Sequence, residues 1–151
     1  MAASAKDRAL RLLGVRARSR EELRRRLAKA GFPENEVETA LADLERVGLI
    51  DDADFARELA THKLKRAGHG RRSAMSSLRA AGVAVETAEA ALEEAGLGDD
   101  EEARAEEVAR QRVTRLAGLD RETAYRRLLG FLLRRGFDPA AARAACNRVL
   151  A

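Results

Sequence analysis

The sequence predicts an all-α protein: nine helices forming three tandem three-helix repeats in an elongated, curved row. Three observations carry that expectation. Long stretches of the 151 residues are built from Ala, Leu, Arg and Glu, all strong helix formers, and only two prolines interrupt them. Glycines recur where helices would end. Above all, one apolar skeleton appears three times. It reads Leu23, Leu27, Gly31, Phe32, then Ala40, Leu41, Leu44. A shift of 51 gives Ala74, Leu78, Gly82, Val83, then Ala91, Leu92, Ala95, and a further 54 gives Leu128, Leu132, Gly136, Phe137, then Ala145, Cys146, Val149. An apolar pair at i, i+4 lines one helical face. The glycine suits the left-handed residue that closes a helix, because it has no Cβ to clash.

Taken in order, the first unit (1–50) carries helices over 4–14, 19–30 and 33–47. The second (51–98) has them over 52–67, 71–81 and 84–95, and the third (99–151) over 99–117, 120–135 and 138–150. Ser19 with Glu22 makes a capping box, each side chain satisfying the other's backbone N–H. Pro33 marks the start of the third helix. Asp51 and Asp52 precede Phe55 and Leu59, and Asp120 precedes Tyr125 and Leu128. Asp138-Pro139 sets a cap before a residue that tolerates the first helical turn. Gly14, Gly31, Gly48, Gly68, Gly82, Gly96, Gly118 and Gly136 punctuate the ends. A unit of about 50 residues buries little surface alone, so stacking of units is expected to supply stability. The middle unit has Ala74, Ala88 and Ala95 where the first has Leu23, Val37 and Leu44, so it is expected to be the most deformable.

Composition narrows the function classes. The chain is 46% hydrophobic but 3% aromatic, so Ala, Leu and Val must fill the core. Charged residues reach 36%, against about 25% in a typical domain. The net charge is +4, with 25 Arg against 4 Lys. Arg presents a flat, permanently charged fork suited to phosphates and carboxylates. Genome composition also produces an Arg and Ala bias, so the bias alone decides nothing. The single cysteine, Cys146, excludes an internal disulfide, fits a reducing cytosol, and falls on the apolar face as a core residue. No run approaches the roughly 20 apolar residues of a membrane span. The first 13 residues lack a signal-type apolar core, being interrupted by Lys6, Asp7, Arg8 and Arg11. A soluble, cytoplasmic, monomeric protein is expected.

Charge alternates with the repeat. Residues 1–31 carry net +7, 32–56 net −7, 57–82 net +6, 83–102 net −8 and 103–136 net +5. The second helix of each unit is basic, and the third is acidic in the first two units. Neighbouring helices could neutralise one another through ordinary salt bridges. Alternatively, opposite faces could offer separate fields to a partner bearing both signs, as a nucleoprotein does.

Candidate chemistry is sparse. No Gly-rich nucleotide loop is present. Gly68-His69-Gly70-Arg71-Arg72 could cradle a phosphate at a helix N-terminus, or be a plain interhelical turn. His62 and His69 stand seven apart without ligands at metal spacing and are expected on the surface. Glu93-Glu94 and Glu101-Glu102 are adjacent and diverge on a helix, which makes them poor acid–base partners. No enzyme activity, metal, cofactor or small-molecule substrate is expected. The basic runs remain: Arg24, Arg25 and Arg26 in the second helix, Arg71 and Arg72 opening the fifth, and Arg126, Arg127, Arg134 and Arg135 in the eighth. Consecutive arginines fan by about 100° per step, so part of each run faces solvent. These nine are the candidate contacts to phosphates or an acidic protein. Tyr125, Phe131 and Phe137 read as core rather than as platforms for stacking bases.

Three ordered segments resemble the bacterial RecX recombination regulators. They are Gly48-Leu49-Ile50-Asp51-Asp52-Ala53-Asp54-Phe55-Ala56, Leu128 through Phe137, and Ser19 through Leu27 leading to Gly31-Phe32. The turn Gly68-His69-Gly70 departs from the family's frequent Gly-Pro, and Ser73-Ala74-Met75-Ser76-Ser77 also differs. The resemblance implies three tandem three-helix units lodged in the groove of the RecA–single-stranded-DNA filament, inhibiting its ATPase and strand exchange. Two rival readings stand beside it: a stand-alone DNA-binding protein, and a helical interaction scaffold unconnected with DNA.

Overall fold

Capping side chains set where the helices begin. Ser19 and Glu22 form the expected reciprocal box, with both bonds at 3.1 Å. Asp51 and Asp120 accept from the amides of Asp54 and Thr123, and Asp138 accepts from Ala140 ahead of Pro139. A second box, Ser4 with Asp7, opens the first helix. It is harder to read in sequence because Asp stands where Glu or Gln is usual. The computed structural model describes residues 2–151, and among these all regular structure is helical. The helices are α1 (Ala5–Val15), α2 (Arg20–Lys29), α3 (Glu34–Arg46), α4 (Asp52–Thr61), α5 (Arg71–Ala80), α6 (Val85–Ala95), α7 (Glu101–Val113), α8 (Arg121–Arg134) and α9 (Pro139–Val149). A π-helical turn, His62–Arg66, continues α4, and a 3-10 turn, Thr114–Leu116, continues α7. Those turns occupy the ends of two helices expected from sequence, 52–67 and 99–117. Gly14 does not end a helix: it lies inside α1, which the chain leaves through extended backbone at Arg16.

The nine helices form three tandem three-helix repeats, each with its own core. The first gathers Ala5, Ala9, Leu23, Leu27, Val37, Leu41, Leu44 and Ile50. The second gathers Ala56, Ala60, Leu64, Ala74, Leu78, Val83, Ala88 and Leu92, and the third Ala105, Ala109, Leu128, Leu132, Phe137, Ala142, Ala145 and Cys146. In each, the first and third helices lie against one another, α1 on α3, α4 on α6 and α7 on α9. Alanines at those contacts keep the axes close, since interaxial distance follows side-chain size.

The expected stacking is corrected in one respect: among the described residues no apolar core is shared between repeats. They join through polar bonds at the ends of the middle helices. The α5 amides of Gly70 and Arg72 donate to the α8-terminal carbonyls of Arg135 (2.8 Å) and Gly136 (3.2 Å). Between them, the Arg71 amide donates to Glu101 at 2.7 Å. These N–H groups have no partner within their own helix. The first junction repeats the design. Arg20 N–H donates to Asp52 at 2.9 Å, while Ser19 Oγ donates to the carbonyl of Ala81 at the end of α5, 2.5 Å away. So α8, α5 and α2 meet head to tail, the positive end of one dipole on the negative end of the next. Among the described residues no hydrogen bond or ion pair joins the first repeat to the third. The row is open.

Candidate polyanion-binding surface

The head-to-tail middle helices carry all nine arginines singled out in the sequence, though not at matching positions. Arg24–Arg26 align with Met75, Ser76 and Ser77 in α5, whereas Arg126 aligns with Arg72. The basic runs share a helix rather than a register.

Their surroundings divide them. Arg24 is half-buried and gripped by Glu21 through Nε (2.8 Å) and Nη2 (2.5 Å). That bond raises the guanidinium's pKa and, from the other side, lowers that of Glu21. Arg25 reaches the Ala80 carbonyl at 2.8 Å, a strut between the first two repeats. Arg72 stands 3.3 Å from Asp138, and Arg135 is half-buried, donating to the Ala67 carbonyl at 2.7 Å. These four are already engaged within the chain. Arg26, Arg71, Arg126, Arg127 and Arg134 are exposed, and among the described residues none has a carboxylate within 4.0 Å of its guanidinium.

The acidic helices divide too. On α3, Glu38 and Glu45 lie 2.7 and 3.8 Å from Arg20, and Asp43 lies 3.1 Å from Arg46. There, neutralisation within the chain accounts for much of the charge. On α6, Glu86, Glu89, Glu93 and Glu94 are exposed with no ion pair among the described residues. A separate negative strip therefore persists in the middle repeat.

Where α2 meets α4 and α5 the surface opens into a cleft of about 1100 Å³. Arg8, Arg16, Arg25, Arg26 and Lys29 line it against a single acid, Glu22, over a floor that includes Phe55 and Leu59. Arg16 bonds Glu22 at 2.8 Å. Arg8, Arg16 and Lys29 are absent from the sequence-derived set, because the lining is drawn from several helices that only the fold brings together.

The loop before α5 is not a phosphate cradle. The amides of Gly70, Arg71 and Arg72 are all occupied by the third repeat. His69 in that loop is half-buried rather than on the surface, with Nδ1 2.7 Å from Ser73 Oγ. Burial first, then the charges of Lys63, Arg135 and His62, lower its pKa. His62 is exposed. Arg104 of α7, unremarked in the sequence, pins the same loop. Its largely buried guanidinium donates to the carbonyls of His69 (2.9 Å) and Leu64 (3.2 Å), with Asp99 3.2 Å from Nε. Cys146 is fully buried, and burial pushes its thiol up to about 11, so the thiolate is scarce at neutral pH. Of the aromatic residues read as core, Phe137 is buried, while Tyr125 and Phe131 are half-exposed.

Family comparisons fit this architecture. The family model described as RecX, first three-helix domain, matches residues 5–44, and that for the third three-helix domain matches 99–146. The chain is 42% identical over 133 residues to the regulatory protein RecX of Amycolatopsis mediterranei, covering 88% of this chain and 75% of that one. The chain belongs to the RecX family. A RecX regulatory protein of Mycobacterium avium is 40% identical over 144 residues, 94% of this chain and 80% of its own. The crystal structure of RecX from Lactobacillus salivarius superposes with a TM-score of 0.77 at 17% identity, over 96% of this chain and 94% of that one. A second RecX crystal structure gives 0.79 at 20% identity, over 95% and 71%. At those identities the structural likeness speaks to the fold. Among the described residues no helix is long and apolar enough to cross a membrane.

Proposed function

We propose that this RecX-family chain regulates the RecA recombinase, mainly negatively, by lodging along the groove of the RecA–single-stranded-DNA filament. There it would modulate ATP hydrolysis, strand exchange and filament stability. The working division is three units, 1–50, 51–98 and 99–151, each meeting successive parts of the filament. The observation that carries the reading is the open row of middle helices bearing five exposed arginines without internal carboxylate partners. DNA phosphates or acidic filament surfaces fit that row, and the exposed acids of α6 fit basic patches on the protein part of the filament. The relatives' name, regulatory protein RecX, supports a regulatory role. In this reading the protein acts as a cytoplasmic monomer without cofactor or chemistry of its own.

Mechanistically, a row bridging several subunits opposes the rearrangements that accompany nucleotide turnover. It shifts the filament only by its differential affinity for the filament's states. The test is RecA ATPase on single-stranded DNA titrated with this protein. A progressive fall is expected, and an unchanged rate at saturation removes the proposal. The stand-alone DNA-binding alternative draws on the same free arginines. It predicts tight binding to naked DNA with a steep salt dependence, since each phosphate contact releases counterions. The unpartnered acids of α6 weigh against it.

A further inference from the structure

The junction between the second and third repeats holds a cleft of about 210 Å³ whose charged lining is entirely cationic. Arg66 comes from the π turn after α4, Arg112 from α7, Arg115 from the 3-10 turn and Arg135 from α8. Among the described residues none of the four has a carboxylate within 4.0 Å. Two of them are held in place without one. Arg112 and Arg135 lie over the Phe131 ring, 4.3 and 4.9 Å from its centroid, and Arg135 is further fixed by the Ala67 carbonyl. Stacking on an aromatic face orients a guanidinium while leaving its N–H edge available.

The chain contains its own comparison. Asp51 and Asp100 cap equivalent helices, so Lys63 and Arg66 occupy in the second repeat the places of Arg112 and Arg115 in the third. In the corresponding cleft between the first and second repeats, which Arg66 also lines from its other side, Glu58 is part of the lining. Its Arg16 is bound to Glu22 and its Arg57 is paired with Asp54. Carboxylates therefore balance the cleft at the first junction and not the cleft at the second. Convergent guanidinia without counter-charge repel one another, and an anion seated among them relieves that repulsion.

We propose that this second-junction cleft binds one phosphate group of a nucleic-acid strand. Its volume is below the roughly 300–1,000 Å³ of pockets that take a whole small molecule, so a single group enters. Both guanidinia cover Phe131, so no base stacks there and the rest of the strand passes outside. The site deepens the filament reading by giving the second junction a direct grip on the DNA, and it can be tested without RecA.

The experiment measures binding of a fluorescent oligodeoxythymidylate to the full-length chain by anisotropy, over a range of salt. Arg66→Gln with Arg115→Gln removes two cleft charges that make no bond within the fold. Arg11→Gln with Arg143→Gln removes two exposed charges elsewhere, and circular dichroism checks that both doubles fold. The cleft double is expected to lose at least about tenfold in affinity. The slope of log affinity against log salt should shrink by about 0.7, the value for one phosphate on a single strand. The charge-matched double should stay within about twofold, as non-contacting surface charges do. Equal losses in the two doubles, or none in the cleft double, overturn the proposal. Because RecA is absent, the filament reading can fail while this site stands, and the reverse.

Discussion

At Gly136 two constraints fall on one residue. Its φ of +86° lies where a side chain is disfavoured, and a Cβ there would run into the backbone of Ser73 at the start of α5. Gly118 has a similar φ of +88° but open space around it. Gly118→Ala should therefore cost only the backbone penalty of about 1–2 kcal/mol. Gly136→Ala, which must also part the second and third repeats, should cost about 3 kcal/mol in urea unfolding. Equal costs would mean that the junction bonds contribute nothing. His69 supplies a pH dependence at the same junction. Burial and neighbouring cations lower its folded pKa, so the neutral form is favoured in the folded chain. Its contribution is present above the unfolded value of about 6.5 and is lost as pH falls from there toward the folded value. Between about pH 7.5 and about pH 5.5 the wild type should lose more stability than His69→Gln. Identical losses would show that His69 is not the group responsible.

Helix ends do most of the organising at the next scale. Ser19 closes a capping box and also donates to Ala81 of the next repeat, whereas Ser4 closes a box alone. Ser4→Ala should cost about 1 kcal/mol, the usual worth of a cap. Ser19→Ala should cost about 1 kcal/mol more, for the buried inter-repeat bond. Chemical denaturation of the two variants checks the difference, and equality would separate the first junction from the folding energetics. The helices themselves were legible because capping acids, serines and glycines act within four residues, as did the apolar faces at i, i+4. The junctions were not. Arg71 meets Glu101 and Gly70 meets the carbonyl of Arg135 across long sequence separations, and no local pattern announces either. For the same reason the sequence counted Arg135 among free contacts and passed over Arg104, whose role depends on carbonyls 35 and 40 residues away, whereas the Glu21–Arg24 pair is local and its i, i+3 spacing was there to be read.

Over the whole molecule, stability is divided among three separate cores, with hydrogen bonds at the helix ends linking the repeats. The middle core has nothing larger than leucine among its fully buried residues, and Ala56, Ala60, Ala74, Ala88, Ala91 and Ala95 make up much of it. Amide protons of α4–α6 should accordingly exchange faster than those of α1–α3, because local opening follows the apolar contacts available to resist it. Uniform protection in native-state hydrogen exchange would contradict a soft centre. Such a centre would let the outer repeats adjust to a helical polymer while each keeps its own fold. The most direct test of that picture is electron cryomicroscopy of this chain on RecA filaments assembled on single-stranded DNA. The account predicts density following the groove, with α2, α5 and α8 turned toward the filament and α6 against its protein wall. Density confined to filament ends, or a chain bound with its arginine-bearing helices facing solvent, would contradict it.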